Sequence, residues 1–171
     1  FLLHASCPAT GASVVINEAM ASNLSSVADP QGRFDDWIEL YNAGDSSVDV
    51  GGLYLTDDAS EPRQWKIPAG NPGLTTIPAK GFLVIWADGT DGPGLHANFS
   101  LSAEGDEIAL FDSDGVTRLD RIAFGPQAQN VSYGRYPDGG DDLMLMVLPT
   151  PGEANLGVTA GVVADVQFSH P

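Results

Sequence analysis

Apolar residues recur at alternate positions over short stretches of this chain. Each stretch is bounded by Gly, Pro, Asn, Asp or Ser, and none repeats at i, i+3, i+4, i+7 over three helical turns. Period-2 runs of aromatic and β-branched residues between turn signals predict strands. They fall at Ser13 to Ala21, Asp36 to Asn42, Val48 to Thr56, Gln64 to Ile67 and Phe82 to Ala87. Further runs lie at Glu107 to Phe111, Leu119 to Phe124, Val131 to Tyr136 and Leu143 to Leu148. Gly51-Gly52 marks a bulge or a close backbone approach within its run. Phe82 to Ala87 is apolar almost throughout and is expected to be a central strand covered on both faces. About nine or ten short strands at this spacing predict an all-β sandwich or barrel.

The stretch Asp36-Trp37-Ile38-Glu39-Leu40-Tyr41-Asn42 departs from a simple inside–outside alternation. Trp37, Glu39 and Tyr41 share one face, and Asp36, Ile38, Leu40 and Asn42 share the other. Neither face is wholly apolar, so the strand is expected to hold carboxylates beside a core. Acids dominate elsewhere too: 23 Asp and Glu against seven Lys and Arg give a net charge of −16. Such a field repels nucleic acid and anionic lipid, leaving cations and basic surfaces as favoured partners. One cysteine, Cys7, excludes an internal disulfide and a cysteine-based zinc site. No run reaches the roughly 18 apolar residues of a membrane-spanning helix, so membrane insertion is not expected.

The expected organisation is a tail over residues 1–12, a β-domain over 13–157, and a linker opening a following domain over 158–171. Phe1 to Cys7 reads equally as the end of a secretion signal or as vector-derived sequence.

Few residues offer chemistry. His96 is the single histidine outside the expected tails, no Gly-x-Ser-x-Gly elbow occurs, and a surface or strand-edge role is expected for it. Calcium is the candidate ion, because Asp/Gly loops supply flexible oxygen ligands. The candidate ligands are Asp88 and Asp91 in one loop, and Asp112 and Asp114 in another. Trp37, Trp65 and Trp86 would make a sugar-stacking platform if coplanar and exposed, although Trp86 lies in an apolar run. Arg135, a scarce base within a strand, is expected to pair with a carboxylate such as Glu18 or Glu39.

Several pieces, in order along the chain, carry a resemblance. They are Ile16-Asn17-Glu18, Asp36 to Asn42, Gly52 to Asp57, Trp65 to Pro68, Pro78 to Ala87, Phe99 to Ser102, Gly105 to Leu110, Ser132 to Arg135 and Pro149 to Gly152. Together they resemble the lamin tail domain family, in its bacterial extracellular branch. The resemblance implies an immunoglobulin-like β-sandwich without catalytic residues or a required cofactor. It also implies that Asn17, Glu18, Asp36, Trp37, Glu39 and Arg135 are structural framework. The implied role is a non-catalytic module of a larger secreted or cell-surface protein, serving protein interaction, adhesion or spacing. Its partners would be proteins, surface glycans or neighbouring domains of the same polypeptide. A carbohydrate-binding accessory module is the alternative, and a hydrolase domain the third reading.

Overall fold

The computed structural model describes residues 13–157. Twelve strands and one short helix occur in the order β1 (Val14–Met20), β2 (Trp37–Asn42), β3 (Val48–Asp49), β4 (Tyr54–Thr56), β5 (Trp65–Lys66), α1 (Pro72–Thr75), β6 (Thr76–Ile77), β7 (Phe82–Ala87), β8 (His96–Ala97), β9 (Asp106–Phe111), β10 (Arg118–Phe124), β11 (Ser132–Arg135) and β12 (Leu143–Met146). A six-stranded sheet in the order β12-β11-β1-β2-β7-β8 faces a four-stranded sheet in the order β10-β9-β4-β5, with β3 and β6 forming a separate pair. This is an immunoglobulin-like β-sandwich. Ile16, Ile38, Leu40 and Ile85 from one sheet meet Leu55, Ile108, Leu110 and Ile122 from the other in a single buried core.

The alternation along β2 is as expected: Ile38 and Leu40 enter that core. Trp37 turns to the outer face, where it forms a second buried cluster with Met20 and Trp86. In β1 the alternation breaks. Val14 and Ile16 face the core and so do Ala19 and Ala21, with the register against β2 shifting between Ile16 and Glu18. A β-bulge inserts an extra residue here and brings two successive side chains to one side. Asn17 and Glu18 therefore both join the outer face, with Glu18 directly opposite Glu39. β11 crosses this point at Gly134, where a Cβ would lie 2.6 Å from the Asn17 carbonyl and 3.0 Å from Glu18 Cα. Only glycine permits that approach.

Two expectations about elements change. Val48 to Thr56 is two strands in different sheets, because Gly52 takes φ +98° and reverses the chain between them. Phe82 to Ala87 is covered only towards its end. β8 pairs with Trp86 and Ala87 alone, which leaves Phe82, Leu83 and Val84 half-buried along a free edge. β8 itself is too short to announce itself by alternation, and it pairs in parallel with β7. Residues 149–157 make no strand. They cross the outer face of the larger sheet and bond to Glu18 and Glu39. The expected tail (1–12) and linker (158–171) lie outside the described residues.

Candidate functional site

Two polar assemblies flank the core. The first is built on the bulge. Asn17 donates its amide to Glu39 Oε1 and Asp138 Oδ1, both at 3.0 Å, and accepts from the Gly139 N–H at 3.0 Å. Glu18 accepts from the Ser132 hydroxyl and the Thr150 N–H, and its Oε2 lies 3.1 Å from the Thr150 hydroxyl oxygen. Glu39 Oε2 accepts from the Gly152 N–H at 2.6 Å. Neither glutamate is exposed, and neither has an ion-pair partner among the described residues. Burial pushes Glu39 up to about 8, and it raises Glu18 against the hydrogen bonds from Ser132 and Thr150.

The expected pairing of Arg135 with Glu18 or Glu39 is corrected here. Arg135 binds Asp120 at 2.9 and 3.1 Å, the Ile16 carbonyl at 2.9 Å and the Gly140 carbonyl at 2.6 Å. Arg135 leaves the outer face to the glutamates because its guanidinium reaches the edge strand β10, where Asp120 also accepts the Ile16 N–H at 2.7 Å.

The second assembly lines a surface cleft of about 330 Å³. Its walls include Ala21, Asn23, Leu24, Phe34, Asp35, Asp36, Ala87 and Asp88. Asn23 sets the loop: its amide donates to the Val27 and Asp35 carbonyls, and its backbone N–H reaches Asp36 Oδ1 at 3.3 Å. Burial pushes Asp36 up to about 6. Leu24 and Phe34 stand on the rim, 56% and 46% exposed. Behind the cleft, Arg33 reaches Asp29 at 3.1 Å and Asp88 at 3.0 Å. Its Nε lies 3.3 Å from Asp35 Oδ2, an ion-pair separation without hydrogen-bond geometry. Burial works against the charge on Asp88, but hydrogen bonds from Thr90 and His96 outweigh it and hold this carboxyl below its ordinary range. His96 lies on the edge strand β8, in line with the strand-edge expectation, and is buried there. The parallel pairing of β8 with β7 sets it beside Asp88, with Nδ1 3.1 Å from that carboxylate and Nε2 3.2 Å from the Pro93 carbonyl.

The four acids singled out for calcium occupy two separate places. Asp88 serves Arg33, Thr90 and His96. Asp91 lies in the loop that follows, exposed. Asp112 and Asp114 turn back on their own hairpin, accepting the N–H groups of Ser113, Val116 and Thr117. The acid and histidine atoms that do converge belong to Asp29, Asp88 and His96. That set mixes a nitrogen with carboxylates instead of the all-oxygen shell of calcium, and a guanidinium already bridges the two carboxylates. The tryptophans form no platform: Trp37 and Trp86 are buried together and Trp65 packs against the main core. Among the residues of these assemblies, Asp29, Arg33, Asp120 and Asn155 were not anticipated from the sequence. Of these only Arg33 carried a usable signal, as one of few bases beside a run of acids.

Comparison with protein-family models matches residues 8–126 to the Lamin Tail Domain. No curated protein matches the chain. The matched span ends before β11 and the 149–157 segment, which complete the assembly around Glu18 and Glu39.

Proposed function

The chain belongs to the lamin tail domain family, an immunoglobulin-like and generally non-catalytic class, and from that premise we propose that it is an interaction module of a larger secreted or cell-surface protein. Its partner on this reading is a basic protein surface. The supporting observation is the cleft, where the exposed apolar rim of Leu24 and Phe34 adjoins Asp35 and Asp36. A lysine or arginine has matching chemistry, an alkyl stem for the rim and a cationic head for the carboxylates. The surrounding net charge of −16 would speed the approach of such a partner. Adhesion and spacing between neighbouring domains are compatible with the same surface.

Hydrolysis gains no support from His96, both of whose ring nitrogens face acceptors, Asp88 and the Pro93 carbonyl, rather than a nucleophilic hydroxyl. Glycan stacking gains none from the buried Trp37 and Trp86. A clear hit on a glycan array would nonetheless favour a carbohydrate-binding module over this reading.

Calorimetric titration with a decalysine peptide tests the proposal. Removing charge by Asp35→Asn with Asp36→Asn is expected to weaken binding on the order of tenfold. The equally charge-reducing Asp112→Asn with Asp114→Asn should weaken it far less. Equal losses would mean that only net charge is felt, and the cleft would lose its role.

A further inference from the structure

We propose that residues 149–157 are a strap closed over the outer face of the six-stranded sheet by a proton held at Glu18, and that this strap opens as pH rises. The inference concerns a different face from the cleft and does not depend on it. Among the described residues the strap has no strand pairing. It is fastened by hydrogen bonds from Thr150 to Glu18, from Gly152 to Glu39, from the Asn155 N–H to Asp138 at 2.9 Å, and from the Asn155 amide to the Arg135 carbonyl at 2.7 Å. Three of its four anchors are carboxylates.

The hydrogen count assigns the proton. The Asn155 amide nitrogen donates to Arg135, so its Oδ1 is left as an acceptor and lies 2.8 Å from the Thr150 hydroxyl. That hydroxyl is also 3.1 Å from Glu18 Oε2, and it has one hydrogen to give. With Glu18 ionised, either Asn155 Oδ1 or Glu18 Oε2 faces the hydroxyl oxygen with no hydrogen between them. With Glu18 protonated, the acid donates to Thr150, Thr150 donates to Asn155, and every contact carries a hydrogen.

The charges around Glu18 favour the same state. Glu39 on β2 stands opposite it, and Asp138 lies in the turn between β11 and β12. The neighbouring cation, Arg135 on β11, is turned to Asp120 on β10, and Glu153 of the strap is exposed. Ionising both glutamates therefore sets two buried like charges side by side without a counter-ion among the described residues. Burial raises both groups, in the same sense. Opening admits water to the pair.

Hydrogen exchange of the whole chain, corrected for intrinsic rate, tests this at the Thr150, Gly152 and Asn155 amides. Protection there should fall on the order of tenfold or more between about pH 5 and about pH 9, while β1 and β2 amides stay protected. Glu18→Gln supplies an amide donor where the acid proton sat and should keep the strap protected at both values. Thr150→Val breaks the relay and should leave it poorly protected at both. Unchanged wild-type protection, or the same loss in Glu18→Gln, would overturn the proposal. Should that variant not fold, carboxyl carbon NMR of the wild type decides: Glu18 must titrate above its ordinary range, with the midpoint at which strap protection falls. Separate midpoints would overturn the proposal as well.

Discussion

Arg135 and Asp120 hold both backbone polar groups of Ile16, the N–H through the carboxylate and the carbonyl through the guanidinium. This clamp sits immediately before the bulge at Asn17, and it ties the edge of one sheet to the middle of the other. Arg135→Ala would leave two backbone carbonyls without this donor, and Asp120 with the Ile16 N–H but no counter-charge, at a site about one-tenth exposed. Breaking a buried pair in this way costs about 3–5 kcal/mol. Chemical denaturation of Arg135→Ala, Asp120→Asn and the double variant should show strong coupling, with the double variant no worse than Arg135→Ala alone. Independent, additive losses would mean that the two residues act separately. A structural arginine was legible in the sequence as a scarce base within a strand. Its partner was not, because Asp120 enters the site only through the packing of β10 across β1, a contact about a hundred residues distant in the chain.

The same contrast holds at the level of elements. Alternation in β2 announced which residues face the core, and the structure follows it. In β1 the string Ile16-Asn17-Glu18-Ala19 gives no sign that the alternation changes phase, since a bulge is set by the partner strands and not by local propensity. The 149–157 strap was equally invisible, for its hold on the fold is hydrogen bonding to distant acids and not hydrophobic periodicity. Gly134 is the point where β1 and β11 impose a condition on sequence. Gly134→Ala would drive a methyl group against the Asn17 carbonyl, backbone that can yield only by shifting the bulge. The expected cost is about 1–3 kcal/mol, the range for overpacking. It should be read as a lowered denaturation midpoint, with the added loss of protection at the Gly139 amide that Asn17 holds. A variant as stable as the parent would show that the sheet has more slack here than the contact distances allow.

For the whole molecule, buried acids and surface charge push stability the same way. Glu39 and Asp36 have folded values raised to about 8 and about 6. A raised group binds its proton more tightly when folded, so its contribution is complete below the unfolded value and is lost as pH rises through the folded one. For Glu39 that window runs from about pH 4.5 to about pH 8, and it amounts to a few kcal/mol at most. Asp29, Asp88, Asp114 and Glu107 are shifted down, so their contributions are present above the ordinary carboxylate range and are lost as pH falls below it. The two sets meet at about pH 4–5, which is also where the chain approaches its isoelectric point of about 4.1 and its self-repulsion fades. Melting temperature should therefore be higher at about pH 5 than at about pH 8. Glu39→Gln should flatten the difference by removing the largest titrating contribution. Salt distinguishes the two causes, because it screens exposed charges and leaves the buried pair largely untouched. At about pH 8, added sodium chloride is expected to recover only part of the lost stability in the wild type and a larger share of it in Glu39→Gln, where the buried Glu18 and Asp36 still titrate. Full recovery of the wild type by salt would place the whole pH effect on the surface and leave the buried glutamates with no share in it.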